Sequence, residues 1–200
     1  MDLRKVSLAG ILLCFAYFII TFIFIITGLP SWLIAMEIIT LLSGIFMVPF
    51  FVYLPLDDEG GKIKLLSVIF AAGGMILTAT AHITNLVVTN RLIKDGINVP
   101  DFLQIGKWPS LEMTIDYLAW GLFIGLAFIF SSMAKTSHKN YKSLRSTLLI
   151  CGLLCLNGFI GSITINENLW YIAPLGYGIG TAIICIKLFT SKNEIFPKEG

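Results

Sequence analysis

The sequence predicts an all-α polytopic membrane protein, a six-transmembrane-helix bundle with both termini in the cytoplasm, and three observations predict it. Hydrophobic residues make up 56% of the 200 residues and charged residues only 13%, against roughly 25% charged in a soluble domain. The apolar residues gather in six stretches, at 6–28, 32–53, 65–89, 111–133, 146–165 and 169–189, each near the ~20 residues that cross ~30 Å of hydrocarbon as a helix. Of the 14 Lys and Arg, all but Arg91, Lys94 and Lys107 fall at the N-terminus, in the second and fourth loops or in the tail. The positive-inside rule puts that side in the cytoplasm. Strand-like alternation is absent, and only helices satisfy their own backbone in lipid at this length. The chain 1–200 therefore reads as a single transmembrane domain, multi-pass in the cell membrane.

Each element has its own signal. The first stretch is too long for a signal-peptide core and has no small-x-small cleavage site after it, so it is expected to stay as a helix. Leu29-Pro30-Ser31 leaves room only for an antiparallel hairpin into the second span, where Pro49 is expected to kink or end the helix. Asp57-Asp58-Glu59 beside Gly60-Gly61 reads as a solvated turn. In the third span Gly74, Thr78, His82 and Asn85 recur at four, four and three, a stripe on one helix face. The outer loop 91–110 is the one long external segment. Its Pro100-Asp101 is expected to open a short helix ending near Gly106, lying in the headgroup region or folding over the bundle as a lid.

The fourth span begins after Ser110, a capping residue, with Glu112 in the first turn where it complements the helix dipole. Glu112, Asp116 and Trp120 follow every four residues. Gly121 and Gly125 form G-x-x-x-G there, as Gly176 and Gly180 do in the sixth span, a spacing that lets helix backbones approach. The Asn166-Glu167-Asn168 link makes spans five and six a second hairpin. Trp32, Trp108, Trp170 and Tyr171 are expected to form an aromatic belt at the outer surface. Cys14, Cys151, Cys155 and Cys185 all lie within spans and read as small packing residues, with no disulfide framework.

Inside these spans sit side chains that hydrocarbon disfavours. At 1.5 Å per residue from the outer end of each span, Glu37 and Asp116 lie roughly 7 Å deep. His82 lies about 10 Å deep, Asn85 about 6 Å, and Asn157 and Tyr177 about 12 Å. The expectation is one polar layer in the outer leaflet, gathered around a hydrated pocket, with no lysine or arginine in it. An acid buried without a cationic partner holds its proton, since ionisation would forfeit hydration. The layer is thus suited to a cationic or hydrogen-bonding ligand, or to proton exchange. His82, Glu37 and Asp116 are also a mixed nitrogen and oxygen set, but no H-E-x-x-H or paired-histidine spacing supports a metal, and no metal or cofactor is expected.

Several functions are excluded by missing chemistry. The net charge of +2 and the lack of a basic stripe argue against nucleic acid. Ser43-Gly44 follows Leu41, not the glycine of an intramembrane serine protease. The spans lack the arginines of a lipid phosphatase and the second histidine of a haem site, and no phosphate-binding Walker loop occurs. The expected function is binding or transport of a small ligand, cationic or amphipathic, through an outward-facing polar pocket. The expected ligand-binding residues are Glu37, His82, Asn85, Glu112, Asp116, Trp120, Asn157 and Tyr177. Alternatives are a membrane-embedded enzyme using a His82/Asp116 acid–base pair on a lipid-like substrate, and a non-catalytic assembly, immunity or signalling protein with a membrane partner or a second copy of itself.

Overall fold

The computed structural model of the chain describes residues 2–56, 61–104, 107, 109–134, 141–170 and 172–190. The turn Asp57-Asp58-Glu59, the aromatics Trp108 and Tyr171, the lysines 135, 139, 192 and 198, and Gly106 lie outside them. All regular structure among the described residues is helical. The helices are α1 (Leu3–Thr27), α2 (Pro30–Tyr53), α3 (Lys62–Lys94), α4 (Leu111–Met133), α5 (Tyr141–Thr164), the short α6 (Glu167–Trp170) and α7 (Leu175–Thr190).

Five of these, α1 to α5, are long and apolar enough to cross a membrane, where the sequence predicts six. The difference lies in the last span. Among the described residues of 169–189, α6 ends at Trp170 and Ile172 lies in a turn ahead of the helix that α7 continues. Pro174 sits at the start of this last segment, where its missing N–H breaks no helical hydrogen bond. Pro49, by contrast, is inside α2. The third helix is longer than the predicted 65–89, so the segment 91–110 begins as helix and not as loop. The helix stops at Gly96, whose φ of +75° only glycine adopts readily, and Ile97 N–H closes the end on Leu92 O at 2.9 Å. Beyond it, the predicted short helix after Pro100 is a single 3-10 turn, Asp101–Leu103.

The long helices form a closed ring. Each packs on its neighbour in sequence, α1 on α2 through to α4 on α5, then α5 on α7, and α7 returns to α1. Glycines set the tightest contacts. Gly121 of α4 and Gly176 of α7 both face α5, so the two G-x-x-x-G motifs hold α5 between them. A Cβ on Gly121 would meet Phe159 Cβ at 2.7 Å, and one on Gly176 would meet the Cys151 carbonyl oxygen at 2.6 Å. That oxygen is backbone and cannot move aside. Gly176→Val is therefore expected to force α5 and α7 apart and destabilise the bundle by about 1–3 kcal/mol, read as a lowered melting temperature in detergent.

The two ends of the ring differ. At the end holding the start of α1 and the end of α7, Leu3, Val6, Phe50, Phe51, Leu54, Phe128, Leu144, Leu148 and Leu188 pack into one core. Phe50, Phe51 and Phe128 stack edge to face with centroids 5.0–6.2 Å apart, a favoured aromatic geometry. The described basic residues Arg4, Lys5, Lys62, Lys64, Lys142, Arg145 and Lys187 belong to helix ends on this side. Arg4 lies over the Phe189 ring at 5.0 Å, and Lys187 Nζ donates to Thr147 Oγ1 at 2.7 Å and Ser143 Oγ at 3.0 Å. The outer faces stay apolar: Phe15, Phe22, Ile25 and Ile26 of α1 are exposed, as suits a surface solvated by acyl chains. Trp170 departs from the predicted belt. It is buried, with its ring 5.9 Å from that of Tyr117.

Candidate functional site

The site is built at the other end, from helices that each contribute one polar group. On α2, Glu37 falls on the inner face and is 1% exposed. On α3, the predicted stripe turns inward as a unit: Gly74, Thr78, His82 and Asn85 are all buried. On α4, Ser110 caps the helix by accepting from Met113 N at 3.1 Å, and this start sets the register that brings Asp116 round one turn deeper. Ser110→Ala is expected to cost about 1 kcal/mol, seen as a small loss of thermal stability.

His82 is the centre. Its Nδ1 lies 2.7 Å from Glu37 Oε2 and its Nε2 lies 3.1 Å from Asp116 Oδ1. Three helices are thus tied through one imidazole. A neutral imidazole has one donor and one acceptor nitrogen, while an ionised carboxylate only accepts. Both contacts are hydrogen bonds only if the imidazole is doubly protonated or one carboxyl carries a proton. The triad therefore holds two protons at least, and with two its net charge is −1. No lysine or arginine lies at this level among the described residues, so nothing nearby offsets that charge. Glu37 Oε1 has no hydrogen-bond partner among the described residues.

The two acids differ in access. Asp116 keeps 20% of its side chain exposed while Glu37 keeps 1%. Asp116 faces a cavity of about 80 Å³ enclosed by α1, α2, α4 and α7. Trp120 and Tyr177 form one wall, their rings 4.7 Å apart, with Tyr17, Phe46 and Met47 on the others. Thr40 and Ser43 also line it. Their hydroxyls donate to Met36 O and Ile39 O of their own helix, both at 2.8 Å, which leaves lone pairs for a ligand. Trp120 Nε1 and Thr181 Oγ1 have no partner among the described residues, although Trp120 is 4% and Thr181 1% exposed. Buried polar atoms are normally satisfied, so these two mark the cavity as a place for a polar occupant. Phe46 and Met47 belong to the aromatic core, which closes the cavity toward the end that carries the termini.

Of the predicted residues, the structure brings Glu37, His82 and Asp116 into contact and places Asp116, Trp120 and Tyr177 on the cavity. Asn85 is buried one turn beyond His82, with Nδ2 unpartnered among the described residues, and does not line the cavity. Glu112 is buried apart from it. Its Oε1 accepts from Thr89 Oγ1 at 3.4 Å, which ties α4 to α3, and that hydroxyl also lies 3.4 Å from Leu103 O of the outer segment. Asn157 is a correction: it is exposed, and its Nδ2 donates to Leu153 O of its own helix at 3.0 Å. Its depth matches the layer, but it points away from the ring, because depth along a helix does not specify azimuth.

Two further features complete the site. Tyr17, Thr40, Ser43 and Thr181 line the cavity; Thr40, Ser43 and Met47 follow a three-four spacing that would have shown one face of α2. Three π-helical turns, Asn85–Thr89, Leu118–Phe123 and Leu175–Gly180, lie directly beside His82, Asp116 and around Tyr177. Each adds a residue to a turn and re-aims the side chains next to it, and such bulges recur at functional sites. No residue pattern in the chain announces them. Among the described residues no group of three or more His, Cys, Asp or Glu converges as metal ligands do; the imidazole stands between the two carboxylates and separates them. No known protein family matches this sequence, and no characterised protein or solved structure shows significant similarity to it.

Proposed function

We propose that the chain is an integral protein of the cell membrane, with six passes and both termini cytoplasmic, that binds a small cationic ligand in the cavity beside Asp116. The observation that carries this reading is the partly exposed Asp116 carboxylate on an otherwise aromatic and hydroxyl-lined cavity. Ring faces and a carboxylate together favour an ammonium or guanidinium group. Size narrows the ligand. About 80 Å³ is far below the ~300 Å³ or more of a drug-sized site. The charged head of a ligand fits there, and an amphipathic tail would have to lie elsewhere. Transport of that ligand is the natural use of such a site in a membrane.

A second reading, an enzyme acting on a lipid-like substrate, draws on the 3.1 Å contact between His82 and Asp116. It is weaker because both imidazole nitrogens are already engaged and His82 does not line the cavity. A catalytic base must reach the proton it takes. The test is calorimetric titration of the purified protein with tetramethylammonium and guanidinium chlorides, with sodium chloride as the ionic-strength control. Saturable binding of either organic cation is expected; none for both would overturn the reading. Reporter fusions at each terminus check the cytoplasmic assignment.

A further inference from the structure

We infer that the cavity takes its cation in exchange for a proton, so that ligand and proton compete for one negative charge. This rests on the cation-binding reading above and adds to it the coupled ion and the one-to-one ratio.

Two hydrogen bonds join Glu37, His82 and Asp116, and each needs one proton. With two protons the triad carries −1; with a third it is neutral. The groups facing it from the packed helices are Tyr17 of α1, Glu112 and Tyr117 of α4, and Tyr177 of α7, with Cys14 and Cys155 close by. None of these is cationic in any protonation state. Among the described residues nothing around the triad therefore balances the −1, and an unbalanced charge with so little access to water is strongly disfavoured.

The empty cavity meets that demand with the third proton, and the loaded cavity meets it with the ligand. The carboxyl oxygens available to the third proton are those not turned toward the imidazole. Glu37 is sealed, while Asp116 reaches the cavity, so the exchangeable proton is on Asp116. As a monovalent cation enters, this O–H bond breaks. The proton passes to bulk water and the electron pair stays on the carboxylate, which becomes the counter-ion. Cavity and triad together are neutral before and after. Trp120 Nε1 and Thr181 Oγ1, buried and unpartnered on the cavity wall, are an independent sign that a polar occupant belongs there.

Glu37 has a separate part in this balance. Its carboxylate makes the triad one negative charge too many for a single imidazolium. Glu37→Gln leaves one carboxylate facing one imidazole, a pair that is neutral without a third proton. Glu37 is thus a positioning and charge-setting residue: without its carboxylate the site is neutral before loading and would carry +1 with the cation bound, so its loss is expected to weaken cation binding while leaving the cavity walls intact.

The experiment adds tetramethylammonium chloride, which has no proton of its own to lose, to the detergent-solubilised full chain in weak buffer with a pH-sensitive dye. About one proton released per cation bound is expected. Where the third proton is bound, affinity should rise about tenfold for each unit of pH increase, since the coupling is reciprocal. Cation affinity should fall at least tenfold in Glu37→Gln and in Asp116→Asn, two near-isosteric changes that each leave a pair already neutral before the cation enters. Saturable binding with no proton release, and with the same affinity from pH 6 to pH 8, would overturn the exchange and leave the cation site standing. Absence of binding in the native chain would overturn both. Native affinity together with unchanged release in both variants would place the proton elsewhere and also refute the inference.

Discussion

His82→Leu is expected to lower the stability of the folded bundle by roughly 3–5 kcal/mol, the loss typical of breaking a buried ionic network by removing one partner. The cause is not a missing contact alone. The imidazole is the shared partner of Glu37 and Asp116, at 2.7 Å and 3.1 Å, and its removal leaves two acids facing each other across an apolar gap. Glu37 suffers most, being 1% exposed with no other partner among the described residues. The diagnostic companion is the triple change Glu37→Leu, His82→Leu, Asp116→Leu. Replacing a whole buried network by apolar groups is often neutral or stabilising, so the triple variant is expected to recover most of the single variant's loss. Thermal unfolding in detergent measures both. A triple variant less stable than His82→Leu would mean that the network holds the ring closed, and that its retention needs no functional reason.

Asp116→Asn is expected to reverse the pattern, with little effect on folding and a large one on ligand. The amide keeps the shape and can still pair with His82 Nε2, so the melting temperature should move little. It no longer offers a counter-charge to the cavity, and affinity for tetramethylammonium should fall at least tenfold, about 1.4 kcal/mol. Glu112→Gln is the control. Glu112 is buried, but it pairs with Thr89 and does not line the cavity, so cation affinity should be unchanged. Equal losses in both variants would show that acidity of the outer end matters and the cavity does not.

Much of the architecture was legible in the residues. Apolar stretches of membrane-spanning length, short hairpin links and G-x-x-x-G pairs each act locally or along one helix face, and the five long helices and the glycine contacts on α5 follow from them. Hydropathy gives the last stretch as one smooth span because it counts apolar residues without asking whether the backbone is continuous, and Pro174 begins a helix where the average does not change. Loop 91–110 was misjudged for a related reason: helix end signals are single residues, and Gly96 lies beyond the apolar stretch.

The site divides along the same line. Residue chemistry alone singled out Glu37, His82 and Asp116, because a carboxylate or imidazole in hydrocarbon carries a free-energy cost wherever it points. Only the folded ring decided that both imidazole nitrogens meet a carboxylate, that of Glu37, Glu112 and Asp116 it is Asp116 that opens on the cavity, and that Asn157 faces away. These are matters of azimuth, register and three π-helical turns, which shift side chains round the helix axis by an amount set by contacts with neighbouring helices. Composition determined what the chain had to hide; the packing of each helix against the next decided what those hidden groups could touch.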